Sequence, residues 1–484
     1  MNDSELQILG GKELIELVEQ LQGELSALRK ENAELRKENA ELRAQLDELK
    51  RSKKRSAAPF SKGRPKANPK KPGRRKGKGD FKRREAPTVL PDDQVVELKA
   101  PLPDESRERC PQCGGALELG YEEATTIDLP KIIPREIKRW KIEVGQCQCG
   151  YRCRGTHPDL AITQHGATAH RVGPRVQSLG LALHYHYGLT IRKVPAVLHD
   201  ICGIDLTQSS LTQAALKLGA AEGEVGQEAQ RIKQAVQKAN SVHTDDTGWR
   251  TKGKSSYLMV FASLKEKAVY YQIRSRHRAE EVAEVISETF EGVLCTDRFS
   301  SYDSRRFSDI EMQKCLSHIL KNLSEVLEGK RGRARSFCQG LQRLLREGLE
   351  LWHAYHRDEI GDETYEVAGQ EIMNRLDHYL RERQLKDPDN QRMLTELGWH
   401  CDRGSLTKFL EDPEIEPTNN FAERMLRPAV IARKVSQCSK TEQGATTYAA
   451  FRTVLGTMAL RKVPSIFRAL VDLIAPLPVP QTAR

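Results

Sequence analysis

Nowhere does the chain carry an apolar run near the roughly eighteen residues that a bilayer span needs, which excludes an integral membrane protein. Its mean hydropathy is -0.61. It opens MNDSELQILGGKELIEL, acidic and polar where an export signal has a basic start and an apolar stretch, so a cytosolic protein is expected. A GxxxxGKS/T phosphate loop is also missing, and with it the expectation of ATP hydrolysis. In a reducing compartment the 11 cysteines are not read as a disulfide framework; metal ligands, core residues and idle thiols are the alternatives. What the chain does have is length: 484 residues with 38% hydrophobic side chains call for two or three domains with real cores.

The net charge of +11 is concentrated, because between Lys50 and Arg84 stand 17 Lys and Arg against the single acid Asp80, leaving the remainder of the chain net negative. This segment is rich in Pro, Gly and Ser and cannot bury enough apolar surface to offset the entropy of ordering, so a disordered linker is expected. Its Arg74, Arg75 and Lys76 suit a polyanion, since each cation set against a phosphate releases counterions; a solubilising spacer is the alternative. Before it, Leu14, Leu21, Leu28, Leu35, Leu42 and Leu49 repeat every seven residues, with Val18, Leu25, Asn32, Asn39 and Leu46 at the other heptad position. That period is the one two supercoiled helices present to each other, and the polar Asn32 and Asn39 favour a parallel dimer held in register.

Cys110-Pro-Gln-Cys113-Gly-Gly forms a C-x2-C knuckle, and Cys147-Gln-Cys149-Gly-Tyr-Arg-Cys153 follows. Tetrahedral zinc needs four ligands, and two separated clusters would close a small β-rich module around a structural ion. Five cysteines compete for four places: Cys110 and Cys113, then Cys149, then Cys147 or Cys153. Beyond Gly155, helices broken at glycines carry apolar stripes, and Leu206-Thr-Gln-Ser-Ser starts a helix after Gly203. The spacing is that of a helix-turn-helix whose second helix begins near Thr207 or Gln208; plain packing is the alternative.

At residue 241 the pattern turns to β: SVHTDDTGW, SSYLMVFASL and KAVYYQI, then a helix from about Ala279 to Phe290 and a fourth strand, GVLCTD. This opens a mixed α/β sheet. Asp245, near the end of the first strand, and Asp297, ending the fourth, can converge on a divalent ion because neighbouring strands lie under about 5 Å apart.

The wording V-H-T-Asp245-Asp246-T-G-W-R, G-V-L-C-T-Asp297-R-F-S-S-Tyr302, K-Cys315-L-S-His318 and P-T-Asn419-Asn420-F-A-Glu423-Arg424-M-L-Arg427-Pro428, followed by Arg433-Lys434, resembles the bacterial insertion-sequence transposases of the group numbered sixty-six. The resemblance implies a ribonuclease-H-like catalytic domain with an Asp-Asp-Glu triad at Asp245, Asp297 and Glu423; spacing alone does not single out Glu423. Two departures stand out: Asp246 where the family usually has Glu, and Leu316-Ser317 where it has Trp-Ala, which leaves the role of His318 open. Asn419 or Asn420 is expected to cap the helix that carries Glu423. Arg424, Arg427, Arg433 and Lys434 are expected to hold the DNA backbone.

The expected architecture is thus multidomain: a leucine-zipper coiled coil (1–50), the basic linker (51–100), a zinc-binding module (101–156), a helical DNA-binding region (157–238), a ribonuclease-H-like domain (239–322 and 399–460) interrupted by a helical insertion (323–398), and a helical tail (461–484). The expected function is a transposase that binds element ends, cleaves phosphodiester bonds with two Mg2+ (or Mn2+) ions per active site, and transfers 3' hydroxyl ends to target DNA. Its expected partners are double-stranded DNA, a second copy or a higher oligomer, and accessory proteins encoded beside it, without a membrane. It would work in the cytoplasm, on the nucleoid when bound to DNA. The alternatives are an inactive transposase-derived zinc-containing DNA-binding regulator, and a nuclease that cuts without joining.

Overall fold

The computed structural model describes residues 11–53, 112–115, 133, 135–157, 160, 164–165, 171–328, 330–381, 384–436 and 438–475. Arg74, Arg75, Lys76 and Cys110, and with them most of the basic linker, lie outside the described residues. The chain divides into two compact units, one holding the first helix with residues 142–199 and 204–475, the other the described part of 62–141 with 200–203.

Helix α1 (Gly11–Lys53) is continuous over 43 residues. Its heptad side chains Leu21, Leu28, Leu35 and Leu42 are each about half exposed, and Asn32 and Asn39 are exposed too, with Asn39 Nδ2 donating to the Leu35 carbonyl at 3.1 Å. A hairpin follows: β1 (Val144–Gln146) pairs antiparallel with β2 (Arg152–Arg154), Gly145 opposite Cys153. Its turn is closed by Cys147 N–H donating to the Tyr151 carbonyl at 2.8 Å, with Gly150 at φ +89°, a left-handed value that suits glycine.

Four helices precede the sheet: α2 (Pro174–Tyr185), α3 (Val194–Cys202), α4 (Gln208–Leu218) and α5 (Glu224–Gln237). Gly203, at φ +61°, turns the chain between α3 and α4, and the Thr207 hydroxyl caps α4 by accepting from Ser210 N–H at 3.1 Å.

The sheet runs β5-β4-β3-β6-β7, from β3 (Ser241–Thr251), β4 (Lys254–Ser263), β5 (Ala268–Arg274), β6 (Val293–Thr296) and β7 (Met312–Lys314). The first three form an antiparallel meander, while β6 and β7 run parallel to β3. Lys252 and Gly253, both at positive φ, make the tight β3–β4 turn whose twist matches that of the strands. Two details depart from expectation. The helix expected over 279–290 is only α6 (Ala279–Ala283), because the β-branched Val282, Val285 and Ile286 and the hydroxyls of Ser287 and Thr289, 3.1 Å apart, favour turns over a continued helix. β3 also extends to Thr251, so Asp245 lies in mid-strand and not near its end.

After β7 the chain forms α7 (Leu316–Glu328), α8 (Ala334–His356), α9 (Asp362–Arg381), α10 (Pro388–Asp402) and α11 (Lys408–Glu411). They share a core that includes Leu323, Phe337, Leu341, Leu376, Leu397 and Phe409. Helices α12 (Asn420–Ser436), α13 (Glu442–Leu460) and α14 (Ile466–Ile474) complete the described chain.

Helix α13 closes the outer edge of β5. The hydroxyl of Thr457 accepts from Val269 N–H at 3.1 Å, and that of Thr453 from Tyr271 N–H at 3.0 Å. Where β3 outruns β6, the Arg433 guanidinium donates to the Gly248 carbonyl, and Ser439 exchanges backbone hydrogen bonds with Arg250 and Lys252. At the other edge Lys314 N–H donates to the Ser405 carbonyl at 2.7 Å. Thr457→Val keeps the shape but leaves the buried Val269 amide unpaired, and is expected to lower unfolding free energy by about 1–3 kcal/mol, read from the denaturant midpoint.

Candidate active site

The parallel pairing of β3 with β6 sets His243 opposite Cys295. Carried on two residues, that register brings Asp297, just past the end of β6, level with Asp245. Strand alternation then divides β3: His243 and Asp245 face one side, Thr244 and Asp246 the other. On the second side Thr244 Oγ1 lies 3.2 Å from the Tyr302 hydroxyl, and Asp246 Oδ1 lies 2.9 Å from His277 Nδ1.

The first side meets the start of α12 through Asn419, which is fully buried. Its Nδ2 donates to the Thr244 carbonyl at 2.7 Å, its Oδ1 lies 3.3 Å from His243 Nδ1, and its backbone N–H donates to Cys315 Sγ at 3.1 Å. Burial pushes His243 down to about 4, ahead of the opposing bond to Asn419. The ring is therefore neutral near pH 7 and donates its Nδ1–H to Asn419 Oδ1. The expected capping by an asparagine side chain thus takes another form: the Asn419 carbonyl accepts from Glu423 N–H at 3.2 Å, while its side chain turns across to the sheet. Glu423 sits in the first turn of α12, its Oε1 3.7 Å from His318 Nε2.

The acids influence one another's charge. Burial pushes the Asp245 carboxyl up to about 7, opposed by the Asp246 N–H it accepts and reinforced by the charges of Asp297, Asp246 and Glu423. The Asp297 carboxylate accepts from Phe299 N–H at 2.9 Å. Neighbouring Cys315, with Glu423 and Asp297 acting in the same direction, pushes His318 up to about 9, and its Nε2 faces the glutamate at 3.7 Å. Sequence reasoning missed two neighbours: Glu416, 3.7 Å from His243 Nε2, and the fully buried Lys314, 2.8 Å from Asp303. Neither stands in a pattern that marks it, because only the fold brings β7 under the loop that follows Asp297.

Of the four basic residues on α12, Arg424, Arg427 and Lys434 are exposed. Arg433 is turned inward, donating to Thr247 Oγ1 at 3.1 Å as well as to Gly248. Asn420 is exposed.

Among the described residues no three His, Cys, Asp or Glu side chains close to metal-holding geometry. The donor chemistry of Asp245, Asp297 and Glu423 nonetheless fits a hard divalent cation: all are carboxylates, and Asp245, raised first by burial and then by the neighbouring negative charges, is a group whose ionised form such a cation would favour. Away from this site, Cys113, Cys147, Cys149 and Cys153 are exposed free thiols, and hydrogen bonds from Cys149 hold the Cys147 thiol below its ordinary value.

The family described as Transposase IS66 family matches residues 170–447, more than half of the chain. No curated protein matches it.

Asn419→Ala leaves the Thr244 carbonyl and His243 Nδ1 unpaired in the interior, and is expected to cost about 2 kcal/mol or more in urea unfolding. Asp245→Asn is expected to have the opposite sign. Its carboxyl rises from 3.8 to about 7 on folding, so the folded state binds the proton more tightly and this residue's contribution falls as pH rises through that window. In divalent-free buffer at pH 7.5 or so, the asparagine variant should melt above the parent protein, with the gap closing towards pH 4.

Proposed function

Because the chain belongs to the IS66 transposase family, we propose that Asp245, Asp297 and Glu423 are the Asp-Asp-Glu centre of an enzyme that cleaves DNA at the ends of its element and joins the freed 3' ends to target DNA. The observation that carries this reading is the Asn419 joint, which fastens the helix bearing Glu423 to the strand bearing Asp245. The strand order β5-β4-β3-β6-β7, with only β4 antiparallel to the rest, supports the ribonuclease-H-like assignment.

In this reading Asp245 and Asp297 would hold divalent ions and Glu423 would complete the set. When bound, two Mg2+ or Mn2+ ions supply Lewis acidity, easing deprotonation of water and neutralising charge on the departing 3' oxygen. The protein's own groups do the positioning. Arg424, Arg427 and Lys434 hold the phosphate backbone beside the cleft. His318, protonated next to Glu423, orients that carboxylate. Water adds in line to the phosphodiester phosphorus and the P–O bond to the 3' oxygen breaks; the released 3' hydroxyl then attacks a target phosphodiester in the same geometry. Each step exchanges one P–O bond for another, so no ATP and no covalent enzyme intermediate is required.

The remaining parts fit the same role. The exposed leucine stripe of α1 is proposed to pair with a second copy, giving each DNA end its own catalytic domain. Helix α4, capped at Thr207 and preceded by the Gly203 turn, is proposed to read DNA, the basic linker with Arg74, Arg75 and Lys76 to contact it without sequence preference, and the cysteines to hold structural zinc. Accessory proteins are proposed as further partners. No described helix is long and apolar enough to cross a membrane, and a place on cytoplasmic DNA follows from the proposed substrate.

Labelled DNA carrying the element end, incubated with Mg2+, separates the readings. Wild-type protein is expected to cut and join; cutting alone would identify a nuclease, and binding without either reaction a DNA-binding regulator. Asp297→Ala is expected to lose roughly a thousand-fold or more in cutting rate with binding retained, since several kcal/mol of charge stabilisation goes with the ligand.

A further inference from the structure

The loop after Asp297 presents an aromatic ring that the chemistry above does not use. Phe299 is 39% exposed. Its backbone and one ring face are both engaged. Its N–H donates to the Asp297 carboxylate at 2.9 Å. One face stacks on the His277 imidazole, with centroids 4.7 Å apart and planes 21° from parallel. His277, whose side chain is only 2% exposed, has its Nδ1 2.9 Å from Asp246 Oδ1. Tyr302 meets the imidazole edge-on at 5.6 Å, and Ser301 Oγ donates to the His277 carbonyl at 2.8 Å, which clasps the loop to the segment after β5. A phenyl ring placed only for packing gains most by burying both faces; here one face is backed by His277 while 39% of the residue stays exposed.

The surroundings select the occupant. Arg276 and Arg278 flank His277, the residue that backs the ring, and both are exposed, while Asp297 and Asp246 are the acids beside the ring and the imidazole. An exposed aromatic backed by a residue that stands between two exposed arginines in the chain, and two residues from a carboxylate proposed to act on phosphodiesters, matches the way single-stranded nucleic acid is held: cations track the backbone while a base stacks on the ring. A protein partner would have to desolvate the arginines, whereas a phosphate backbone complements them.

We propose that Phe299, backed by His277, is a stacking platform for one unpaired base of the DNA strand next to the reacting phosphodiester. The inference rests on the transposase reading and adds that the duplex is opened at that position. The platform touches two of the strands that carry the proposed acids: His277 lies 2.9 Å from Asp246, next to Asp245 on β3, and Phe299 N–H donates to Asp297 just past β6.

The test uses the full-length chain with Ca2+ in place of Mg2+, and two strands of equal length. One is an oligothymidylate carrying a single 2-aminopurine; the other is abasic, with sugar and phosphate only. Wild-type protein should quench the 2-aminopurine and bind the base-bearing strand more tightly than the abasic one. Phe299→Ala should bind the base-bearing strand about ten-fold more weakly and the abasic strand unchanged, and Phe299→Trp should restore binding. Phe299→Leu, which still covers His277, should fail like alanine, with an unaltered melting temperature. Equal loss on both strands, no loss on either, or wild-type behaviour of the leucine variant overturns the inference while cutting and joining by the parent protein keep the transposase reading intact. A parent protein that neither binds nor cuts DNA overturns both.

Discussion

Asn419 donates its side-chain amide to the Thr244 carbonyl and accepts from the neutral His243, and through those contacts the helix carrying Glu423 is fixed to the strand carrying Asp245. The arrangement is demanding. A buried amide offers two donors and an acceptor, and each must find a partner or cost stability. Strand β3 supplies a backbone carbonyl and a ring nitrogen from adjacent residues, and the Asn419 backbone finishes the joint on Cys315. Rotating α12 by even one residue would break these contacts and carry Glu423 away from the aspartates.

The carboxylate cluster works against the fold that holds it. Asp245 is buried beside other acids and resists ionisation, so ionising it sets up an unfavourable charge arrangement that the rest of the core must sustain. Strained or repulsive groupings of this sort concentrate where chemistry is done. His318, whose affinity for a proton is raised here, stands 3.7 Å from Glu423.

Strands β3, β4 and β5 are legible in the sequence because alternating and β-branched runs separated by turn residues have few other ways to bury their apolar faces. The cap at Thr207 is legible for the same local reason. Less visible is whatever depends on distance along the chain. Asp297 can be suspected from its place after GVLCT, but Glu423 lies beyond five helices, and no spacing rule connects it to Asp245; only the wording around Asn419 singles it out. The inward turn of Arg433 is likewise invisible, since a basic residue on an amphipathic helix looks solvent-exposed until the overhang of β3 offers its carbonyl. The early end of α6 reflects competition between hydroxyl side chains and helical hydrogen bonds, which periodicity does not register.

Every rim of the central sheet is plugged by something other than another strand of regular length: threonine hydroxyls of α13 along β5, Arg433 and Ser439 along the overhang of β3, and the Ser405 carbonyl beside β7. Hydroxyls and guanidinium groups satisfy the backbone without offering a template for further pairing. Fibril growth and strand swapping between copies are therefore closed routes for this domain. Whatever higher-order particle the protein builds must be stitched together by helices or by the nucleic acid itself.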